Sequence, residues 1–208
     1  MQLKNKKIGQ FTAELASSAP VPGGGGTAAL AGALAASLCS MAGNLTAGKK
    51  KYTEYEDNII AAVADCAILT NRFLELMDED AENFAPLAEA YSIPKNSPDR
   101  SSKIEKASLA ACKAPLEIMN CCVKTIEIIE YISEHCGNLV MSDAACAASI
   151  AGSALESAAM NVFINTKGLK ETCTAAANYD EDASALLSRY YVRARSVTER
   201  ILSNLKGI

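Results

Sequence analysis

Apolar residues recur at three- and four-residue intervals along most of this chain, the spacing of one face of an α-helix. Ile8, Phe11 and Leu15 mark a short helix over residues 8–17. Ile59, Val63, Cys66, Leu69, Phe73, Leu76 and Met77 carry a long helix from about Thr53 to Tyr91. Leu116, Met119, Cys122, Val123, Ile126, Ile129 and Tyr131 continue the pattern inside a segment from about Lys103 to Cys136. Pro115 predicts a kink in that segment or a break just before it, because proline lacks the N–H and clashes with the preceding turn. A last helix of mixed charge is expected from Asp180 to about Asn204, with Leu186, Leu187, Tyr190, Val197, Ile201 and Leu205 turned inward.

One segment departs from this amphipathic pattern: the run from Ala28 to Thr46 is uncharged and made of Ala, Leu and other small residues. A further helix, from about Ala144 to near Gly168, carries a second small-residue interface in Ala147, Ala148, Ala151, Gly152, Ala158 and Ala159. Ala and Leu favour helix, and small residues four apart (Ala28, Gly32 and Ala36; Ala29, Ala33 and Ser37) let another backbone approach closely. Thr27 is the expected N-cap of the first, and Ser142 or Asp143 of the second. The first run is long enough to cross a membrane. Its Ala, Gly, Ser and Thr content argues instead for a helix buried on all sides in a bundle. Ser92 to Ser102, with Pro94 and Pro98, reads as a loop, and Gly168 to Tyr179 as broken helix. The pattern predicts an all-α, up-and-down bundle of about five to seven helices around a central Ala-rich helix, one domain over residues 1–208.

Composition narrows the chemistry. Half of the residues are apolar, yet aromatics are only 5% and Trp is absent, which suits packed helices better than a β-sandwich. A net charge of −4, with no basic run beyond Lys49, Lys50 and Lys51, argues against nucleic-acid binding. The eight cysteines show no C-x-x-C pair, and the first nineteen residues lack an apolar signal region, so reduced thiols in a cytoplasmic protein are expected. The single histidine, His135, sits at a helix end beside Gly137, where it serves the helix dipole more readily than a catalytic triad. No histidine cluster offers a metal site.

The most distinctive stretch is Pro20-Val21-Pro22-Gly23-Gly24-Gly25-Gly26-Thr27. A glycine-rich bend entering a helix leaves N–H groups free for an anion or oxyanion; alternatively it is a tight turn for close helix packing. The bend lacks the Gly-Lys-Ser/Thr ending of a phosphate-binding loop and follows no predicted strand. Gly48 suits a helix C-terminus, and Lys49, Lys50 and Lys51 read either as solvated charge or as a cationic patch for an acidic ligand tail. Asp78, Glu79, Asp80 and Glu82 form an acidic run in which Asp80 has Phe84 one turn on. Asn161 and Asn165 share a helix face. Backbone N–H groups, Asn amides, a carboxylate or two and nearby lysines suit water addition or elimination at an electrophilic carbon, without metal or covalent nucleophile.

On these residues the chain resembles the cyclodeaminase/cyclohydrolase family of folate enzymes along nearly its whole length. The matching parts are Pro20 to Gly26 with the Ala-rich helix behind, Asn44-Leu45-Thr46 leading to Gly48-Lys49-Lys50-Lys51-Tyr52, and Asp80 with Phe84. Pro115, Gly137-Asn138 with Ser142-Asp143, and Asn161-Val162 with Asn165 complete the set. The resemblance implies an all-helical homodimer that binds a tetrahydrofolate derivative as substrate, with no metal. It implies either cyclohydrolase chemistry (methenyltetrahydrofolate plus water to 10-formyltetrahydrofolate) or cyclodeaminase chemistry (ring closure of formiminotetrahydrofolate with loss of ammonia). The cyclohydrolase is the favoured reading, because the chain begins close to the family motif with no transferase domain expected before it. A catalytically silent folate- or protein-binding bundle is the alternative of another class. Under the resemblance, Asp143 is the first choice for the proton-handling carboxylate and Asp80 the second, and Asp143→Asn is expected to cut turnover by ~10²-fold or more. Pro22, Gly23, Gly24, Gly25 and Gly26 are expected to line the folate pocket together with Asn44 and Ser142. Asn161 and Asn165 are expected to bond the pterin edge or the intermediate, and Lys49, Lys50 and Lys51 the glutamate carboxylates.

Overall fold

The computed structural model describes residues 2–207, all of whose regular elements are helical. The α-helices are α1 (Ile8–Leu15), α2 (Gly24–Asn44), α3 (Glu56–Ser92), α4 (Arg100–Ala111), α5 (Lys113–His135), α6 (Met141–Thr166) and α7 (Thr174–Lys206). Short 3₁₀ turns precede α1, α3 and α6. The long helices run up and down in succession, and α2 lies between α3 and α6, both antiparallel to it. Gly25 meets Asp80 of α3 at one end of α2, and Gly43 meets Val63 of α3 at the other.

The core is built from small side chains. Ala28, Ala29, Ala35, Ala36 and Ala42 of α2 and Ala144, Ala147, Ala148, Ala151, Ala158 and Ala159 of α6 are buried. Large residues then fill the places where glycine leaves room. A Cβ on Gly32 would lie 2.4 Å from Cε1 of Phe73, so the fully buried Phe73 ring rests directly on the α2 backbone. A second, smaller cluster of Leu87, Ala90, Ala107 and Ala111, with Phe84, Ile93 and Ile104 against it, joins the end of α3 to α4.

Several boundaries differ from the sequence expectations, each for a local reason. α2 begins at Gly24, with Gly23 at the cap position; Thr27 lies in its first turn and donates its hydroxyl to the Gly23 carbonyl at 2.8 Å. α6 likewise begins at Met141 with Val140 as cap, so Ser142 and Asp143 sit inside its first turn and cap nothing. α7 begins at Thr174, ahead of Asp180; Asp180 accepts bonds from Thr166 and Lys170 and ties the connecting turns to α6. Pro115 falls in the first turn of α5, just after the break between α4 and α5. Pro86 is accommodated inside α3 on its solvent side. α2 is not enclosed on every side: Leu34 is 54% and Met41 39% exposed on its outer face. By length and composition Gly24–Asn44 and Asn138–Thr166 are each capable of crossing a membrane, and about half of each is buried within the bundle.

Candidate active site

The amino end of α2 is where chemistry-bearing groups converge. The N–H groups of a helix's first turn have no intrahelical partner. The N–H of Gly26 is one of them; it lies close to the carboxylate of Asp80, which reaches across from α3, and favours its charged form. The glycines make that approach possible. A Cβ on Gly25 would stand 2.1 Å from Oδ1 of Asp80, and one on Gly24 would stand 3.0 Å from Nδ2 of Asn161. None of Gly23, Gly24, Gly25 or Gly26 has a positive φ, so Gly24 and Gly25 need glycine for lack of a side chain and not for backbone conformation, whereas a Cβ on Gly23 or Gly26 would meet nothing closer than 3.7 Å.

A cavity of about 170 Å³ opens at this point, lined by Pro20, Val21, Gly23, Gly24, Gly25, Asp80, Phe84, Ala111, Pro115, Asn161, Ile164 and Asn165. Asn161 donates its amide to the Ser157 carbonyl at 2.8 Å, within its own helix. Asn165 donates to the Ala111 carbonyl at 3.2 Å, at the unpaired carboxyl end of α4. Both amides are held in orientation by main chain while lining the cavity. Burial pushes the Asp80 carboxyl up to about 6, against the opposing pull of the Gly26 N–H. A carboxylate with that affinity for a proton is still mostly ionised at pH 7, and is a far better base than a solvated aspartate.

The remaining expected site residues lie elsewhere. Asp143 is on α6 eighteen residues before Asn161, ~27 Å along the helix axis. Ser142 lies beside it; Asn44 is the last residue of α2, and Lys49, Lys50 and Lys51 follow the carboxyl end of that helix. There Thr46, fully buried, donates to the Ala42 carbonyl at 2.8 Å and accepts from the Gly137 N–H at 3.2 Å. His135 places Nδ1 2.8 Å from the Tyr131 carbonyl, with its ring between those of Tyr55 and Tyr131. Pro22 packs behind the bend against Gly26. Within one chain the structure therefore brings together Gly23 to Gly26, Asp80, Asn161 and Asn165, and separates them from Asp143, Ser142, Asn44 and the lysines.

Ile164 and Ala111 line the cavity without having been singled out from the sequence. Ile164 carried a legible signal: it lies three residues after Asn161 and next to Asn165, on a face whose other large apolar member, Met160, is also exposed. Ala111 carried none, since its contribution is a helix-end carbonyl. No group of three or more His, Cys, Asp or Glu side chains suited to a metal ion occurs among the described residues.

The comparisons with known proteins agree on one family. Residues 7–184 match the family model described as formiminotransferase-cyclodeaminase. The chain is 39% identical to a methenyltetrahydrofolate cyclohydrolase of Methylorubrum extorquens, over 98% of this chain and 97% of that one. It is 29% identical to the formimidoyltransferase-cyclodeaminase of Mus musculus, over 77% of this chain but only 30% of the longer mouse protein. The crystal structure of a formiminotetrahydrofolate cyclodeaminase from Thermotoga maritima superposes with a TM-score of 0.83 at 23% identity, covering 96% of this chain and 99% of that one, and so shares the fold. With a model match over most of its length and a full-length relative well above chance identity, the chain belongs to the formiminotransferase-cyclodeaminase family.

Proposed function

We propose that this protein is a folate one-carbon enzyme, a methenyltetrahydrofolate cyclohydrolase, with Asp80 as its general base. The observation that carries the reading is the position of Asp80: a half-buried carboxylate with a raised proton affinity, beside a helix amino end and two oriented Asn amides in one cavity. The full-length relative named as a cyclohydrolase supports the choice of reaction.

The substrate is a cationic amidinium whose central carbon bridges N5 and N10. A carboxylate facing that cation stabilises it when bound and removes a proton from the attacking water. The C–O bond forms, the amidinium π-electrons return to nitrogen, and a neutral tetrahedral carbon bearing hydroxyl results. The protonated Asp80 then gives its proton to N5 as the C–N5 bond breaks. The hydroxyl becomes the formyl carbonyl on N10 and its proton leaves to solvent, so the balance is methenyltetrahydrofolate plus water to 10-formyltetrahydrofolate plus a proton. The Asn161 and Asn165 amides and the free first-turn N–H groups of α2 hold the pterin edge and the tetrahedral oxygen. The chemistry requires no metal.

A tetrahedral carbon between the same two nitrogens, bearing an amino group in place of the hydroxyl, is reached from formiminotetrahydrofolate when N10 attacks; protonation of that amino group lets ammonia leave to give the methenyl cation. The family's cyclodeaminase members make this the second reading. The decisive experiment supplies purified protein with both substrates. Loss of methenyltetrahydrofolate absorbance beyond the uncatalysed rate supports the cyclohydrolase; ammonia release alone supports the cyclodeaminase; folate binding without either turnover supports a silent binding bundle.

We also propose a single cytoplasmic domain that pairs with a second copy of itself and engages neither nucleic acid nor membrane. The exposed Leu34 and Met41 on the outer face of α2 support pairing, since large apolar side chains on a central helix gain by being covered.

A further inference from the structure

The cavity around Asp80 is too small for a whole folate, since pockets for ligands of this size usually measure about 300–1,000 Å³. It does not end blindly. A second groove of about 360 Å³ shares Ile164 and Asn165 with it and runs between the end of α3, the amino end of α4 and the end of α6. The two volumes together fall within the usual range. The charged residues lining this groove are Lys95 and Arg100, with no carboxylate among its lining residues. Arg100 donates Nε to the Ile93 carbonyl at 2.9 Å, which fixes the guanidinium in place. Neither Arg100 nor Lys95 has a carboxylate within salt-bridge distance among the described residues; Asp99, next in sequence, is exposed and does not line the groove. The passage between the two compartments is bordered by Ile164, and Tyr91 lies further along; both are largely exposed. A flat aromatic ring would cover them.

We infer that this groove is the subsite for the acidic tail of the substrate, with the aminobenzoyl ring over Ile164 and the glutamate carboxylates on Arg100 and Lys95. The inference rests on the folate reading above. The planar guanidinium suits a bidentate carboxylate, and the flexible ammonium of Lys95 suits the second carboxylate or the next glutamate of a longer tail. The other hollow bordering Ile164 holds Lys167 and Lys170, but Lys170 is already paired with Asp180. Lys49, Lys50 and Lys51 sit at the far end of α2.

The test compares methenyltetrahydrofolate with the corresponding methenyltetrahydropteroate, which lacks the glutamate. Arg100→Gln should raise KM for the folate by ~10-fold with little change in kcat, the scale of one lost charge-assisted bond, and Lys95→Gln by somewhat less. For the pteroate, KM should be the same in wild type and both variants, a pattern that mere damage to the fold would not produce. Equal effects on the two substrates, no effect on either, or a KM shift produced by Lys167→Gln instead would overturn the subsite. If wild-type protein neither binds nor turns over folate, the functional reading fails first. Turnover by wild type with an unchanged KM in Arg100→Gln would remove the subsite alone.

Discussion

The two ends of α2 carry similar-looking motifs and do opposite things. At the carboxyl end, polar groups are consumed by one another. Thr46 both donates and accepts, the Gly137 N–H is satisfied, and Thr46 and Gly137 are buried. At the amino end, a carboxylate and two amides border open space, and the carboxylate is less well satisfied than its burial demands. A polar cluster that closes on itself specifies structure; one that stays partly open at the cost of desolvation is prepared for a ligand.

The sharpest way to break this contrast is Asp80→Asn. Turnover of methenyltetrahydrofolate should fall by ~10²–10⁴-fold, as expected for removal of a general base. Stability should behave oppositely to an ordinary loss of contact. Folding raises the Asp80 carboxyl from 3.8 to about 6, so the folded state binds this proton more tightly than the unfolded chain. Asp80 therefore favours folding below its unfolded value, and that advantage declines as pH rises through the window from about 4 to 6. At pH 7 Asp80→Asn should melt at or above the wild-type temperature, with a gain of at most ~3 kcal/mol from a shift of this size. A strong loss of stability at pH 7 would show that the carboxylate is a structural partner. In the wild type, kcat/KM should fall with acid below about pH 6 as Asp80 takes up its proton.

Glycine substitutions sharpen the same comparison. Gly25→Ala puts a methyl where Asp80 Oδ1 stands. Displacement of the carboxylate by about 1 Å should cost up to ~10²-fold in turnover. The accompanying overpacking should cost ~1–3 kcal/mol in stability. Gly24→Ala meets only the end of the Asn161 side chain, so its loss of turnover should be smaller. Equal losses for the two would mean that the bend matters as backbone and not as the seat of Asp80.

At the closed end of α2 the expected effect is on folding. Thr46→Val leaves the Gly137 N–H buried without its acceptor, which should destabilise by ~1–3 kcal/mol while turnover stays near wild type. Denaturant melts set beside kinetics measure both. A turnover loss matching that of Asp80→Asn would put the carboxyl end into the reaction.

The helices were legible because apolar spacing is a local property, and the break near Pro115 was legible because proline is a local constraint. Helix starts were less so. The sequence offered Thr27, Ser142 and Asp143 as caps, yet the caps of α2 and α6 are Gly23 and Val140, two to four residues earlier and without a capping side-chain bond. Those polar residues sit in first turns, where Thr27 bonds back to its own helix and Asp143 complements the dipole. Nor did the sequence show why the glycines are there. Their positions invite a positive-φ bend, but at Gly24 and Gly25 the requirement is the nearness of Asn161 and Asp80, residues far away in the chain. Lys95 and Arg100 were hidden for the same reason: each reads as loop solvation until α6 is laid beside them.

Asp143→Asn has the smallest expected effect and tests whether one chain holds the whole site. Asp143 lies ~27 Å along α6 from Asn161. Two unit charges at that separation interact by about 0.15 kcal/mol in water and by about 0.6 kcal/mol at an effective dielectric constant of 20. Removing the charge of Asp143 should therefore change turnover by no more than ~3-fold if the reaction proceeds around Asp80 of the same chain. A loss of ~10²-fold requires ~2.7 kcal/mol, which that distance cannot carry. Such a loss in a well-folded variant would mean that a second copy brings its own Asp143 to the cavity. Leu34, near the middle of α2 and exposed, marks the face across which an antiparallel partner would do so. Mixing Asp80→Asn with Asp143→Asn subunits then separates the cases. Shared sites regain activity in the mixed dimer, whereas sites confined to one chain leave the mixture at the average of its two parents.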